Sequence, residues 1–261
     1  MYKRGWFEDF SGTLAQARKS AAQLVPAFLH GGTNRFAPVG MHKKSVRSNG
    51  LVHEPAIAAW EARVRRLAAR NPPSRTFDPV LIDDVWLAAL VSLTLEADGP
   101  TRAVGHLYGI GIVLVIERHL PGTLLDGAAM GSDDGYGLIG LTLRHDRLDN
   151  FWFTLLHEIG HLKLHIGVGS FAAIFDDTES PSAARHEEEA DAFARNALLP
   201  PAQWDLAVSR FSRTEKAVLT DAKRFGVGPS VIAGRVRREA GDYTLLRSLV
   251  GSGDVRRQFG L

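Results

Sequence analysis

The chain has 261 residues, 45% hydrophobic and 23% charged, an ordinary globular composition with room for one large core. A net charge of +2 is too small to argue by itself for a nucleic-acid partner. The absence of cysteine excludes disulfides, thiolate metal sites and cysteine nucleophiles, and leaves ten histidines as the chemically informative residues.

The amino terminus, MYKRGWFEDF, has Glu8 and Asp9 where a secretory leader needs an apolar stretch. The longest apolar run, VWLAALVSLTL at 85–95, is about half of the ~20 residues a membrane span requires. A cytoplasmic protein without membrane contact is the expectation. Residues 14–29 predict a helix with Ala15, Ala21, Leu24 and Phe28 on one stripe, and HGGTNRFAPVG at 30–40 predicts a loop. EPAIAAWEARVRRLAAR at 54–70 predicts an amphipathic helix, with Pro55 in its first turn and Ile57, Trp60, Val64 and Leu67 on one face. Its arginines, Arg63, Arg65, Arg66 and Arg70, read as a solvated face rather than a nucleic-acid surface, because no base-reading residues interleave them. Residues 1–78 thus form a helical region of unassigned role, and 79–261 the main domain.

Residues 79–109 predict two helical pieces broken at DGP, 98–100. The period then changes. GIGIVLVIER at 109–118 and YGLIGLTLR at 136–144 predict strands, separated by a turn-rich stretch, HLPGTLLDGAAM at 119–130. DNFWFTLLHEIGHLKLH at 149–165 predicts a helix capped by Asp149 or Asn150, with Phe151, Leu155, Ile159 and Leu162 at helical spacing. Helices are expected over 182–199, 201–212, 214–226, 229–239 and 243–250.

HEIGH, residues 157–161, sits on the 149–165 helix. Residues four apart share a face about 6 Å apart along the axis, so His157 and His161 can aim both imidazoles at one ion. Glu158 is rotated about 100° from His157, beside the ion rather than on it, where a base must stand to take a proton from an activated water. A catalytic zinc takes three protein ligands. The longer motif H-E-x-x-H-x-x-G-x-x-H fails, with Leu164 at the glycine position and Gly167 at the third histidine. The remaining source is HEEEADAF, 186–193. Glu187 is the expected third ligand, with Glu188 and Glu189 as alternatives that otherwise read as a solvated first turn. Asp191, four residues beyond Glu187, shares its face and can accept the outer N–H of a ligand histidine. His165 lies too far along the axis to ligate and is expected to pack against or support the site. His186 is a candidate oxyanion donor that otherwise reads as a helix-start residue, and Tyr136 and His145 are candidates for the same role.

HEIGHLKLH followed by EEEADAFARNALLP resembles the ImmA/IrrE metallopeptidases, in which H-E-x-x-H precedes E-x-x-A-N-x-F-A and an L-L-x-P-like close. Glu187, Ala190, Asp191, Phe193, Ala194, Leu198 and Pro200 fit, with Asp191 for the usual Asn and Ala197 for a usual Leu. The resemblance spans roughly 105–240. It implies an α+β, zincin-like core: a small sheet, the HEIGH helix, and a later helix supplying the third ligand. It also implies a protease cleaving a repressor, or a regulator in a mobile-element, stress or toxin–antitoxin circuit. LRHDRLDNFWFTLLHEIGH and FGVGPSVIAGRVRRE look closer to antitoxin-like regulators with an upstream helix-turn-helix domain, and this chain begins, at KRGWF, about where that domain would end.

The expected activity is zinc-dependent endopeptidase cleavage of a regulatory protein by one Zn2+ ion held by His157, His161 and Glu187, with Glu158 as base. Two histidines and a carboxylate also suit iron or manganese, and the helical motif favours zinc. The substrate is expected to lie extended along 136–144 as an edge strand. The alternative is a non-proteolytic antitoxin or sensor that binds a protein partner, for which Glu158 has no duty. A DNA-binding regulator using Arg63–Arg70 or the turn and helix at 225–239, with Arg235, Arg237 and Arg238, is the third reading. There the reading favoured is a packed helix pair with its arginines in water.

Overall fold

In the computed structural model, which describes residues 1–30, 41–44, 53–166 and 181–261, four strands and eleven α-helices form among those residues. In chain order they are α1 (Leu14–Lys19), α2 (Ala21–His30), β1 (Met41–Lys44), α3 (Glu54–Ala68), α4 (Asp84–Ser92), α5 (Gly99–Tyr108), β2 (Ile112–Ile116), β3 (Leu125–Gly131), β4 (Gly137–Leu141), α6 (Leu148–Leu164), α7 (Pro181–Leu198), α8 (Pro201–Trp204), α9 (Glu215–Phe225), α10 (Pro229–Ala240) and α11 (Asp254–Gln258). The expected α+β class is what forms. None of the described helices is long and apolar enough to cross a membrane.

The strand order is β1-β3-β4-β2, with β2 parallel to β4 and the other two pairings antiparallel. Cross-strand partners share a face. Ala129 opposite Ile139 faces α6, and Met130 opposite Leu138 faces α3. On the α3 side, Gly140 leaves room for Trp60: a Cβ there would stand 2.6 Å from the indole Cη2. Trp60 is fully buried and donates its indole N–H to the Glu117 carbonyl at 2.8 Å. On the other side, α6 presents Phe151, Trp152, Leu155, Ile159 and Leu162 to the main core. Full burial of each such side chain contributes about 1.5–3 kcal/mol. From Phe151 to Leu162 only Phe153 escapes full burial, so α6 is a central helix rather than a surface one.

Several expectations change. Residues 119–130 were expected to turn, yet β3 begins inside them. LDGAAMG has no β-branched residue, and it is a strand because both its edges are paired and all its residues buried. The helix expected over 14–29 breaks at Ser20, and α6 begins at Leu148, with Asp149 and Asn150 in its first turn rather than at the cap. The helix expected over 201–212 shrinks to α8 and a 3-10 turn at Val208–Arg210; 243–250 keeps only a 3-10 turn at Arg247–Leu249, and α11 was not foreseen. Of the loop expected over 30–40, His30 closes α2 and the rest lies outside the described residues.

The arginines expected in water work inside the chain. Arg63 pairs with Glu8 at 2.6 Å, Arg65 donates to the Gly131 carbonyl at 2.8 Å, Arg66 to the Phe28 carbonyl at 3.2 Å, and Arg70 to Glu8 at 2.5 Å. In α10, Arg235 donates to the Leu199 carbonyl at 3.0 Å, and buried Arg237 ties the helix to Asp149 in the first turn of α6 at 3.1 Å. Guanidinium groups committed to internal acceptors are not available to phosphates without breaking these bonds.

Candidate metal centre

α6 and α7 pack at close range because the residues between them are small. A Cβ on Gly160 would stand 3.2 Å from the Ala190 Cα and 3.1 Å from Phe193 Cδ1. Ala190 and Ala194 are fully buried at the same crossing. This approach carries the second turn of α7 over the HEIGH stretch. His157 and His161, four apart on α6, bring their Nε2 atoms to 3.0 Å. Each oxygen of Glu187 faces one ring: Oε2 lies 3.4 Å from His157 Nε2, and Oε1 lies 3.3 Å from His161 Nε2.

These separations test the fit of a metal ion. A tetrahedral zinc with bonds of about 2.0–2.1 Å spaces its ligand atoms about 3.3 Å apart. The three observed distances bracket that value, and among the described residues this trio can hold an ion. Both histidines are fully buried, whereas the Glu187 side chain is 40% exposed, so solvent reaches the cluster from the α7 side.

The outer nitrogen of each imidazole is also engaged. His157 Nδ1 lies 2.9 Å from Asp191 Oδ1. Asp191 in turn accepts from Arg238 of α10 at 2.7 Å, with Arg195 at 3.7 Å. The Arg238 guanidinium lies 4.7 Å from the centre of the Phe153 ring. His161 Nδ1 faces His165 Nδ1 at 3.1 Å, and His165 Nε2 faces Glu189 Oε2 at 2.9 Å. Glu189, expected to be solvated, is therefore drawn to a buried ring. Glu158 is fully buried, and its carboxylate lies against β3: a Cβ on Gly127 would meet Glu158 Oε1 at 2.6 Å.

Two expectations fail here. Residues 136–144 do not offer an edge, because β4 is paired with β3 on one side and β2 on the other; β1 runs along the outer edge of β3. Tyr136 is buried in the cluster on the α3 side of the sheet, away from the histidine pair on α6; His145 faces Arg144 at 3.3 Å. Sequence reasoning missed Gly127, Gly160 and Arg238. A glycine opposite a buried carboxylate or in a helix crossing has no local signature.

Burial pushes the His161 imidazole down to about 4, against the pull of Glu187. For Glu187, burial pushes upward, but the hydrogen bonds from His157 and His161 outweigh it and hold the carboxyl at about 2. At neutral pH the cluster thus offers a neutral imidazole and a carboxylate, the forms a metal needs. In the ion-free chain, His161 stays unprotonated while the unfolded chain takes up a proton below its ordinary 6.5. The sign follows: stability is fully present above pH 6.5 and is lost as pH falls toward 4. Chelator-treated protein is expected to lose about 2 kcal/mol between pH 7 and pH 5 from this residue. Urea titrations at both values, beside His161→Asn, check it; an equal pH response in the variant refutes the assignment.

A family model described as the IrrE N-terminal-like domain, of a peptidase family, matches residues 119–237. That span holds β3, β4, α6 and α7, and with them His157, Glu158, His161, Glu187 and Asp191. Comparison with curated proteins and with solved structures returned no match.

Proposed function

Since residues 119–237 match the model of the IrrE N-terminal-like peptidase domain, we propose that this chain is a zinc-dependent endopeptidase acting on a regulatory protein, such as a repressor or toxin–antitoxin partner. The observation that carries the reading is the spacing of the three donor atoms next to a buried carboxylate. His157, His161 and Glu187 would hold the ion. A divalent ion held there supplies Lewis acidity to the scissile carbonyl and to the attacking water. Glu158 takes the water's proton and returns it to the leaving amine. Asp191, braced by Arg238, holds the His157 proton on Nδ1 and so keeps Nε2 free to ligate. A neutralising or sensing protein, in which the metal site would be structural or vestigial, has no need of the Glu158 carboxylate.

The test is metal analysis of the purified chain and of Glu187→Ala. One zinc per chain is expected for the wild type, and a loss of affinity above about 100-fold for the variant, beyond that typical of an outer hydrogen-bond partner. Undiminished zinc binding by Glu187→Ala would sink the ligand assignment, and iron or manganese in place of zinc would correct the metal.

A further inference from the structure

The stripe of histidines on α6 continues one turn past the pair. His165 follows His161 by four residues, and their Nδ1 atoms are 3.1 Å apart. The second nitrogen of His165, Nε2, lies 2.9 Å from Glu189 Oε2, while Glu189 Oε1 accepts from Arg185 at 2.8 Å. The ring of His186 packs on His165 at 4.3 Å between centroids. His165 is buried at the end of α6, so its polar atoms depend on these partners.

A neutral imidazole has one N–H and one lone pair. If His161 is to ligate through Nε2, its proton stands on Nδ1 and must be donated to His165 Nδ1. His165 then carries its own proton on Nε2, where Glu189 accepts it. In the opposite arrangement His165 Nδ1 donates to His161, whose proton moves to Nε2 and blocks ligation. That arrangement also sets a lone pair of His165 against the Glu189 carboxylate, which only accepts. In the ion-free chain Glu187 Oε1, 3.3 Å from His161 Nε2, competes for the same proton; with an ion in place of that hydrogen bond, the Glu189 carboxylate favours the arrangement in which His161 is a ligand.

We propose that His165 and Glu189 are positioning residues that fix the tautomer and ring plane of His161, as Asp191 does directly for His157. The inference rests on the metal-site reading above. The two imidazoles are held unequally: one by an arginine-braced carboxylate, the other through an intervening ring.

The experiment measures zinc affinity by chelator competition, the visible spectrum of the cobalt-loaded protein, and thermal unfolding of the ion-free protein. His165→Leu removes the acceptor and keeps bulk. His165→Asn restores an acceptor oxygen near the lost Nδ1. Glu189→Ala lies at the surface end of the relay and leaves the core untouched. His165→Leu is expected to weaken zinc binding about 10- to 100-fold and to shift the cobalt bands, with most of both recovered in His165→Asn. Glu189→Ala is expected to show a smaller loss in the same direction, because its carboxylate is partly exposed and water can replace it. If His165→Leu does not fold, His165→Asn retaining affinity together with Glu189→Ala losing it supports the proposal.

A packing role alone would lower the unfolding midpoint, leave affinity and spectrum unchanged, and show no advantage of Asn over Leu; that result overturns the proposal. Wild-type protein that binds no divalent ion overturns the metal-site reading and this inference with it. Wild-type binding that depends on Glu187 but not on His165 or Glu189 overturns this inference alone.

Discussion

Glu158→Gln is expected to keep its zinc and to lose peptide hydrolysis by about 10²- to 10⁴-fold, the usual contribution of a positioned general base. The two side chains have nearly the same shape, and Glu158 is fully enclosed, so the substitution removes proton affinity without opening a cavity. The ligand trio does not include this residue, which is why the metal should stay. Gly127→Ala perturbs the same carboxylate from the sheet. Its Cβ would stand 2.6 Å from Glu158 Oε1 and 3.0 Å from Leu141 Cδ2, and the carboxylate must move away. Both variants belong in one assay, with zinc content measured beside cleavage of proteins encoded adjacent to this chain and of a peptide library. Equal cleavage by wild type and Glu158→Gln would show that the base is misassigned.

Gly160→Leu is expected to cost about 1–3 kcal/mol of stability and to abolish tight zinc binding together. The position lies where α6 and α7 touch, with the Ala190 backbone 3.2 Å from the first added carbon. A branched side chain there forces α7 outward, and Glu187 leaves the two rings it now faces at 3.3 and 3.4 Å. Gly160→Ala is the graded case. It gains up to about 1 kcal/mol of helix propensity, but its Cβ meets Phe193 Cδ1 at 3.1 Å, the Ala190 Cα at 3.2 Å and Phe193 Cβ at 3.3 Å, so α7 must shift by a few tenths of an ångström and the loss of zinc affinity should be smaller than that of Gly160→Leu. Gly105→Ala is the control: it is helical and exposed, and nothing lies within 4 Å of its added carbon, so it should only stabilise. Denaturant titration and zinc competition on the three variants check the set. Gly160→Leu with wild-type affinity would mean that the helix crossing does not position the third ligand.

The candidate site divides into a part written in local spacing and a part that is not. His157, Glu158 and His161 were legible because a helix converts a four-residue interval into a shared face. Glu187 and Asp191 were legible as a pair by the same rule, once a third donor was required. Glu189 was misread as solvated because its partner, His165, is 24 positions away in the chain. Arg238 was misread for the same reason: on its own helix it looks like one of several solvent cations, and only the packing of α10 beside α6 brings it to Asp191. The strand β3 was read as turn because glycine and alanine carry no strand signal, yet those small residues make room for α6 and for Glu158.

By itself the sequence determined the chemistry on offer: a cysteine-free chain, two imidazoles and a carboxylate on one helix, and an acidic helix to follow. Periodicity also assigned β2, β4 and most of the helices, since these follow from side-chain spacing along a single element. Only the tertiary structure decided which acid meets the histidines, which groups hold their outer nitrogens, and that β4 is interior rather than an edge. Those are outcomes of surfaces packing together, where a missing Cβ at Gly160 or Gly127 matters as much as any charged group, and no interval along the chain encodes them.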